Sequence, residues 1–468
     1  MSSAGEAPTD AETSAMKYVS TRGQAPVLDF ADVLLAGLAA DGGLYVPESW
    51  PPLADRWQEP RPYAELAAEL IWPYVEGSAV PRPVLDDLVT DAYATFDHPA
   101  TVPLVEIEPG LCVAELFHGP TLAFKDVALQ LVGRLFDWEL QRRGERRTIV
   151  VATSGDTGSA AIAACVGRPT IDIVVLHPAG RVSDVQRRQM TTVDAPNVHN
   201  VAIEGTFDDC QHLLKRLFAD RALRERVGLS AMNSINWARV AAQIVYHVVA
   251  AGAVGPCEVA VPTGNFGNVL AGWIARRSGA PIERLIIGSN RNDILTRWVR
   301  TGALVRDEVV PTLSPSMDIQ VSSNHERLLF ELLGRDGAAT AELMDRFRSL
   351  GSVEGPRDLV FAAASLDDAA TLAVIADLHR RTGYLADPHT AVGIGAAQAC
   401  RGDTDLPVVC LATAHPAKFP DAVEQATGIR PDMPAHLADL LDRPERCDLL
   451  PAEFGAVRSY VERAVAAH

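Results

Sequence analysis

Six short apolar runs, each closing on small or polar residues, constrain this chain more than any other feature. They are RTIVVATSG from Arg147, IDIVVLHP from Ile171, VHNVAIEG from Val198, CEVAVPTG from Cys257, RLIIGSN from Arg284 and LPVVCLATA from Leu406. Runs that do not alternate apolar with polar bury both faces, as the strands of parallel sheets do. Parallel neighbours require long crossovers, and helical periodicity fills the gaps. Val127, Leu131, Leu135 and Trp138 share a face after Lys125, as do Phe207, Cys210, Leu214 and Leu217 after Thr206. The expected class is α/β with right-handed crossovers. The pattern occupies 100–420, more than the roughly 250–300 residues one core serves. Two open twisted sheet lobes with flanking helices, facing a cleft, are therefore expected, the smaller at about 145–240.

The flanks read differently. Residues 16–99 are rich in Ala, Leu and Pro and predict a mostly helical N-terminal domain. DGGLYVP supplies a turn and a short strand, and the helical piece AELAAELIWPYV should break at Pro73. Residues 421–468 predict a helical C-terminal segment. Residues 1–15, acidic and without an apolar core, predict a frayed tail rather than a secretory signal.

Composition removes several classes of function. With 42 basic and 60 acidic residues the formal charge is −18, which disfavours nucleic acid and anionic membranes as partners. The longest apolar stretch, from Val240, carries Gln243 and His247 and falls short of the ~18 apolar residues of a membrane span. Seven scattered cysteines without a CxxC pair argue against a disulfide framework or a zinc site and fit a reducing cytoplasm.

Ligands of open α/β sheets sit where strands end and helices begin, and four such ends carry unusual residues. In VPTGNFGN, Gly264 and Gly267 bracket Asn265 and Phe266 ahead of Asn268, where a helix should start. Glycines admit backbone N–H groups close to an anion, and the helix terminus adds partial positive charge, so phosphate is the natural ligand. A ligand-free tight turn would use the same glycines. In ATSGDTGSAA, the residues Thr153, Ser154, Asp156, Thr157 and Ser159 crowd one junction, more than helix capping needs, and form a candidate carboxylate cradle. Lys125 stands between Phe124 and Asp126 at a helix start; a lysine among apolar neighbours can lose its proton and act as a nucleophile, although most lone lysines are solvated. The strand VVCLA runs into Thr413, His415 and Lys418. Thr413 is either ordinary strand propensity or a neutral partner for a buried ring nitrogen. Asn236 and Arg239, three apart at another helix start, could grip a phosphate or carboxylate, or simply face solvent. His118 and Asp318 read equally well as packing or capping groups. No HExxH, GxSxG, Walker or GxGxxG motif is present, which disfavours zinc proteases, serine hydrolases and dinucleotide enzymes.

In their order along the chain, MKYVSTRG, GLAADGGLYVP, HGPTLAFKD, ATSGDTGSAA, GRVSDVQRRQM, EGTFDDCQ, NSINWAR, PTGNFGN, SPSMDIQVSSN and TAHPAKF resemble the threonine synthase family, in its branch with an N-terminal helical domain. The resemblance runs from Met16 to about Gly428. It implies the pyridoxal 5′-phosphate (PLP) fold of tryptophan synthase β-subunits and conversion of O-phospho-L-homoserine and water to L-threonine and phosphate. It further implies that Lys125 bonds the cofactor aldehyde, Gly264, Asn265, Phe266, Gly267 and Asn268 hold the cofactor phosphate, and Thr413 meets the pyridine nitrogen. Ser154, Asp156 and Thr157 would receive the substrate carboxylate, and Asn236 and Arg239 its phosphate. Asp156 departs from the asparagine that wider relatives place near the cofactor's 3′-oxygen. No metal, nucleic acid or membrane is implied, and the assembly would be a monomer or homodimer. Rival readings are another PLP lyase of the same fold, a non-catalytic phosphometabolite-binding protein and, more distantly, a nicotinamide oxidoreductase.

Overall fold

A computed structural model of the chain describes residues 15–54, 56–402 and 404–466. All of the predicted tail except Ala15 lies outside the described residues.

The six apolar runs all become strands, and they divide between two sheets. The larger sheet has the order Phe361–Ser365, Ile282–Ser289, Cys257–Pro262, Val408–Ala412, Leu111–Glu115, Leu104–Glu108. Its pairs are parallel except for the antiparallel edge formed by the last two strands. The smaller sheet is wholly parallel, in the order Asp448–Pro451, Val198–Glu204, Ile171–Pro178, Arg147–Ala152, Leu229–Ser230. The strand Ile171–Pro178 is buried along its full length, as a strand covered by helices on both faces must be.

Three expectations need correction. The helix Tyr63–Val75 runs through Pro73 instead of breaking there. Pro73 falls in the last turn, where little helix remains to be disrupted. On the helix Phe207–Ala219 the buried face uses Leu213 rather than Phe207, which is 37% exposed. The C-terminal segment is not wholly helical. After Pro420–Thr427 on the large lobe, the chain crosses to the small lobe, adds Asp448–Pro451 beside Val198–Glu204, and closes with the helix Phe454–Ala466. Val457 and Val461 of that helix are fully buried with Leu213 and Leu217.

The N-terminal helices share one hydrophobic cluster with the large lobe. Trp237 donates its indole N–H to the Tyr18 hydroxyl at 3.0 Å, and Tyr18 donates to the Tyr74 carbonyl at 2.7 Å. The helix Trp237–Val254 is long and apolar enough to cross a membrane, but it is a core helix buried mostly inside the protein.

Two histidines lie in this core. His247 donates through Nε2 to the Asn268 carbonyl at 2.9 Å, and burial pulls its pKa down to about 4. His325 packs between Phe266 and Trp298, with ring centroids 4.9 and 4.2 Å away, and burial pulls it to about 3.

Two predictions follow from this packing. An unfolded histidine takes its proton near pH 6.5, so between pH 6.5 and 4 the unfolded chain binds protons that the native chain refuses, and stability falls as the pH falls. Each histidine should cost about 3 kcal/mol by pH 4. Urea midpoints at pH 7 and pH 4.5 should show the loss, and His325→Leu should reduce it; equal loss in the variant would exclude His325 as a source. Removing residues 447–468 withdraws an edge strand and two buried valines. The urea midpoint of the small lobe should drop by an amount equivalent to about 3 kcal/mol or more. An unchanged midpoint would show that the strand is dispensable.

Candidate active site

In the large sheet, Cys257–Pro262 and Val408–Ala412 lie side by side, yet the chain leaves their carboxyl ends for opposite parts of the molecule. This is a topological switch point, where α/β sheets open a crevice. The Leu111–Glu115 strand ends beside them.

Past Pro262 the chain forms the glycine loop. Phe266 adopts φ +66°, a left-handed conformation that its ring, 1% exposed against His325 and Trp298, holds in place. A Cβ on Gly264 would come within 2.8 Å of the Ser316 carbonyl, so only glycine fits. The loop is fixed from behind. Ser322 donates to the Gly264 carbonyl at 2.6 Å, and Asn324 donates through its backbone N–H and side chain to the Asn265 carbonyl at 3.1 and 3.0 Å. The helix Gly267–Ser278 starts here, its first-turn N–H groups without a hydrogen bond among the described residues. Asn268 accepts from the Tyr246 hydroxyl at 2.7 Å, while its buried Nδ2 has no partner among the described residues. A buried donor without a partner is costly, and an anion against this helix end would satisfy it.

Lys125 opens the helix Lys125–Arg143 and is buried. The segment before it is stitched to the neighbouring strand end. Phe124 donates its N–H to the Thr413 carbonyl at 2.9 Å, and His415 donates its N–H to the Leu122 carbonyl at 3.0 Å. Asp126, fully buried, accepts the Thr121 N–H and hydroxyl at 2.8 and 2.7 Å and so shapes the turn. Nζ of Lys125 lies 3.3 Å from Asp156 Oδ2 and 3.4 Å from Ser316 Oγ. Burial pulls the Lys125 amine below its ordinary value, with Asp156 opposing and Lys418 and Arg239 assisting.

The small lobe supplies the facing wall. At the end of Arg147–Ala152, Thr153 caps the next helix by accepting the N–H groups of Gly155 and Gly158 at 2.9 and 3.0 Å. That leaves the Ser154 and Thr157 hydroxyls without a hydrogen bond among the described residues, beside the N–H groups of Asp156 and Thr157 in the same turn. Asp156 differs from them, because its side chain is already engaged and only its backbone is left for the expected role in receiving a substrate carboxylate. Its carboxylate, 4% exposed, is already enclosed by Lys125, by Lys418 Nζ at 3.0 Å, by Ser316 Oγ at 3.0 Å and by Gln186 Nε2 at 2.9 Å. Burial alone would push this carboxyl up, but Lys418 and then Lys125 hold it well below the carboxylate range. A second carboxylate could meet only its backbone N–H.

Thr413 is buried at the strand end with its hydroxyl free among the described residues, while its N–H donates to Thr390 Oγ1 at 3.3 Å. Asn236 and Arg239 separate. Asn236 caps the helix Trp237–Val254 by accepting the Ala238 N–H at 3.0 Å and donates to the Leu34 carbonyl at 2.8 Å, so its amide is used at both ends. Arg239, 4% exposed, leaves Nε and one terminal nitrogen unpartnered among the described residues. Burial pulls it to about 10, still a cation. A buried guanidinium with open donors calls for an anion.

Sequence reasoning gave no role to Ser316, Gln186, His389 or Lys418. Ser316 and Gln186 stood inside quoted motifs without a chemical signal of their own. His389 accepts the Ser316 N–H at 3.3 Å and lies 2.8 Å from Asp387. Asp318 and His118 prove to be packing groups: Asp318 binds Asn290, Asn292 and Thr312, and His118 sits between Glu115 and Asp97.

Comparison with known proteins agrees along nearly the whole chain. The profile described as "Pyridoxal-phosphate dependent enzyme" matches residues 101–414, "Threonine synthase N terminus" matches 17–93, and "Threonine synthase, C-terminal" matches 390–461. The chain is 51% identical to threonine synthase of Pseudomonas aeruginosa over 463 residues, which cover 96% of this chain and 98% of that one. The PLP-bound threonine synthase structure from Brucella melitensis superposes with a TM-score of 0.93 at 48% identity, covering 96% of this chain and all of that one. The yeast threonine synthase structure gives 0.91 at 35%, covering 98% and 100%. The glycine cradle, the buried amine and the α/β lobes thus sit in a chain that belongs to the threonine synthase family of pyridoxal-phosphate-dependent enzymes.

Proposed function

We propose that this cleft converts O-phospho-L-homoserine and water to L-threonine and phosphate, with Lys125 as the residue that bonds PLP. One observation carries the assignment of roles. A buried amine and a glycine loop heading a helix stand at the switch point of the large sheet, a buried arginine with two nitrogens unpartnered among the described residues acts electrostatically on that amine, and each answers a different part of the chemistry.

The residues present fit the cofactor. Gly264, Asn265, Gly267 and Asn268 would hold its phosphate with backbone N–H groups and the Asn268 amide, and Phe266 would contribute backbone while its ring anchors the loop. The free hydroxyl of Thr413 would meet the ring nitrogen; unlike a carboxylate, it does not hold that nitrogen protonated. When bound, the cofactor supplies an electron sink for carbanions on the substrate.

The chain supplies the rest. The lowered proton affinity of Lys125 lets it attack an aldehyde near neutral pH. With substrate in its place, the same amine would take protons from Cα and Cβ as phosphate leaves Cγ, return one to Cγ, and return the other to Cα once the oxygen of water has added at Cβ, the proton released by water going to the departing phosphate. Ser154, Thr157 and the first-turn N–H groups at Asp156 would receive the substrate carboxylate. Arg239 would bind the substrate phosphate, with Asn236 fixing the helix start that aims it. Closure of the small lobe would keep water out until the final step. A reducing cytoplasm is the setting, and a monomer or homodimer the assembly, that we propose.

Borohydride reduction of the purified protein should fix the cofactor on the peptide carrying Lys125. Lys125→Ala should bind PLP weakly and form no threonine; label on another lysine would displace the assignment. Arg239→Met should raise KM for O-phospho-L-homoserine about 10- to 150-fold, the value of a hydrogen bond to a charged group. An unchanged KM would remove Arg239 from the phosphate site.

A further inference from the structure

Lys418 is the one buried cation beside the reacting amine for which neither binding nor chemistry has so far required a role. It ends the turn Pro416–Lys418, is 0% exposed, and donates to the Thr121 carbonyl at 2.7 Å. Its other contact is Asp156 Oδ1 at 3.0 Å, while Oδ2 of the same carboxylate faces Lys125 at 3.3 Å. Two buried amines therefore share one buried carboxylate, each on its own oxygen.

The charges decide what this arrangement does. A buried carboxylate with a single amine partner forms an ion pair whose members each keep the other charged, because neutralising one strands the other in low dielectric. Lys125 alone with Asp156 would be locked as an ammonium and could not attack an aldehyde. With Lys418 also present, Asp156 is balanced without Lys125. We propose that Lys418 is a positioning residue that holds the charge of Asp156, so that Lys125 can give up its proton while still being aimed by the same carboxylate. This rests on Lys125 being the residue that bonds the cofactor.

The surrounding groups leave this assignment to Lys418. Gln186 contributes a neutral donor from its helix, and Ser316 a neutral hydroxyl. His389 accepts the Ser316 N–H on Nε2 and turns its other nitrogen to Asp387, so it makes no direct contact with Asp156. Asp126 is turned to Thr121, and Asp318 to its own loop. Arg239 is kept for an external anion. Among the described residues, Lys418 is the other cation within ion-pair distance of Asp156.

The test is the pH midpoint at which Lys125 becomes reactive, read on the full chain freed of cofactor by competitive labelling with acetic anhydride and mass spectrometry of the Lys125 peptide. In Lys418→Met the midpoint should rise by about one pH unit or more. In Lys418→Arg it should stay near the natural value. In the double variant Asp156→Asn, Lys418→Met, which removes both charges together, it should return to the natural value or below. A residue that merely shapes the turn would move none of these in that pattern. An unmoved midpoint in Lys418→Met, or a double variant as high as the single one, overturns the inference. Should Lys418→Met fail to fold, Lys418→Gln keeps a donor for Thr121 without the charge and should show the same rise; no rise overturns it. The labelling needs no cofactor, so its failure would leave the cofactor attachment site to be judged by borohydride reduction alone.

Discussion

A carboxylate enclosed by protein stays ionised only when cations stay with it, and Asp156 is this molecule's case. Its two oxygens draw Lys125 from the helix that leads from the large sheet into the small one and Lys418 from the turn after Val408–Ala412, while Asp156 itself heads a helix of the small lobe. Three elements far apart in sequence are thereby held around one charge. The hydrogen bonds from Phe124 and His415 across the neighbouring strand end complete the same junction. The site is built from strand ends because only there does an α/β sheet leave backbone donors and helix termini free.

A second constraint supports the glycine loop. Phe266 turns its backbone left-handed and its ring inward, while Ser322 and Asn324 hold the carbonyls of Gly264 and Asn265 away from the crevice. With its carbonyls already bonded, the loop is held in one shape before an anion arrives. Such preorganisation spares the binding step the cost of ordering the loop. The core packing behind it, with His325 uncharged between aromatic rings, is the other side of the same device.

Much of this was legible in the sequence because parallel strands announce themselves. Both of their faces are buried, so their composition cannot hide. The glycine loop and the position of Lys125 were legible for the same reason, as each follows or joins a strand end. Pairings between distant residues were not legible. Nothing in the residues near Asp156 tells that its carboxylate is consumed by two lysines rather than offered to a ligand, and nothing near Asn236 tells that Leu34 takes its amide. The strand Asp448–Pro451 escaped because it is short, exposed and at a sheet edge, where one partner's backbone decides its conformation.

That edge strand also changes how the two lobes can move. The chain passes between them near the start of the small sheet, returns to the large lobe through Trp237–Val254, and passes back again after Pro420–Thr427 to end against Val198–Glu204. Bodies joined at several separated points have fewer independent ways to turn against each other than bodies joined at one. A turn of one lobe against the other would therefore strain three connections at once, where a single linker would strain one.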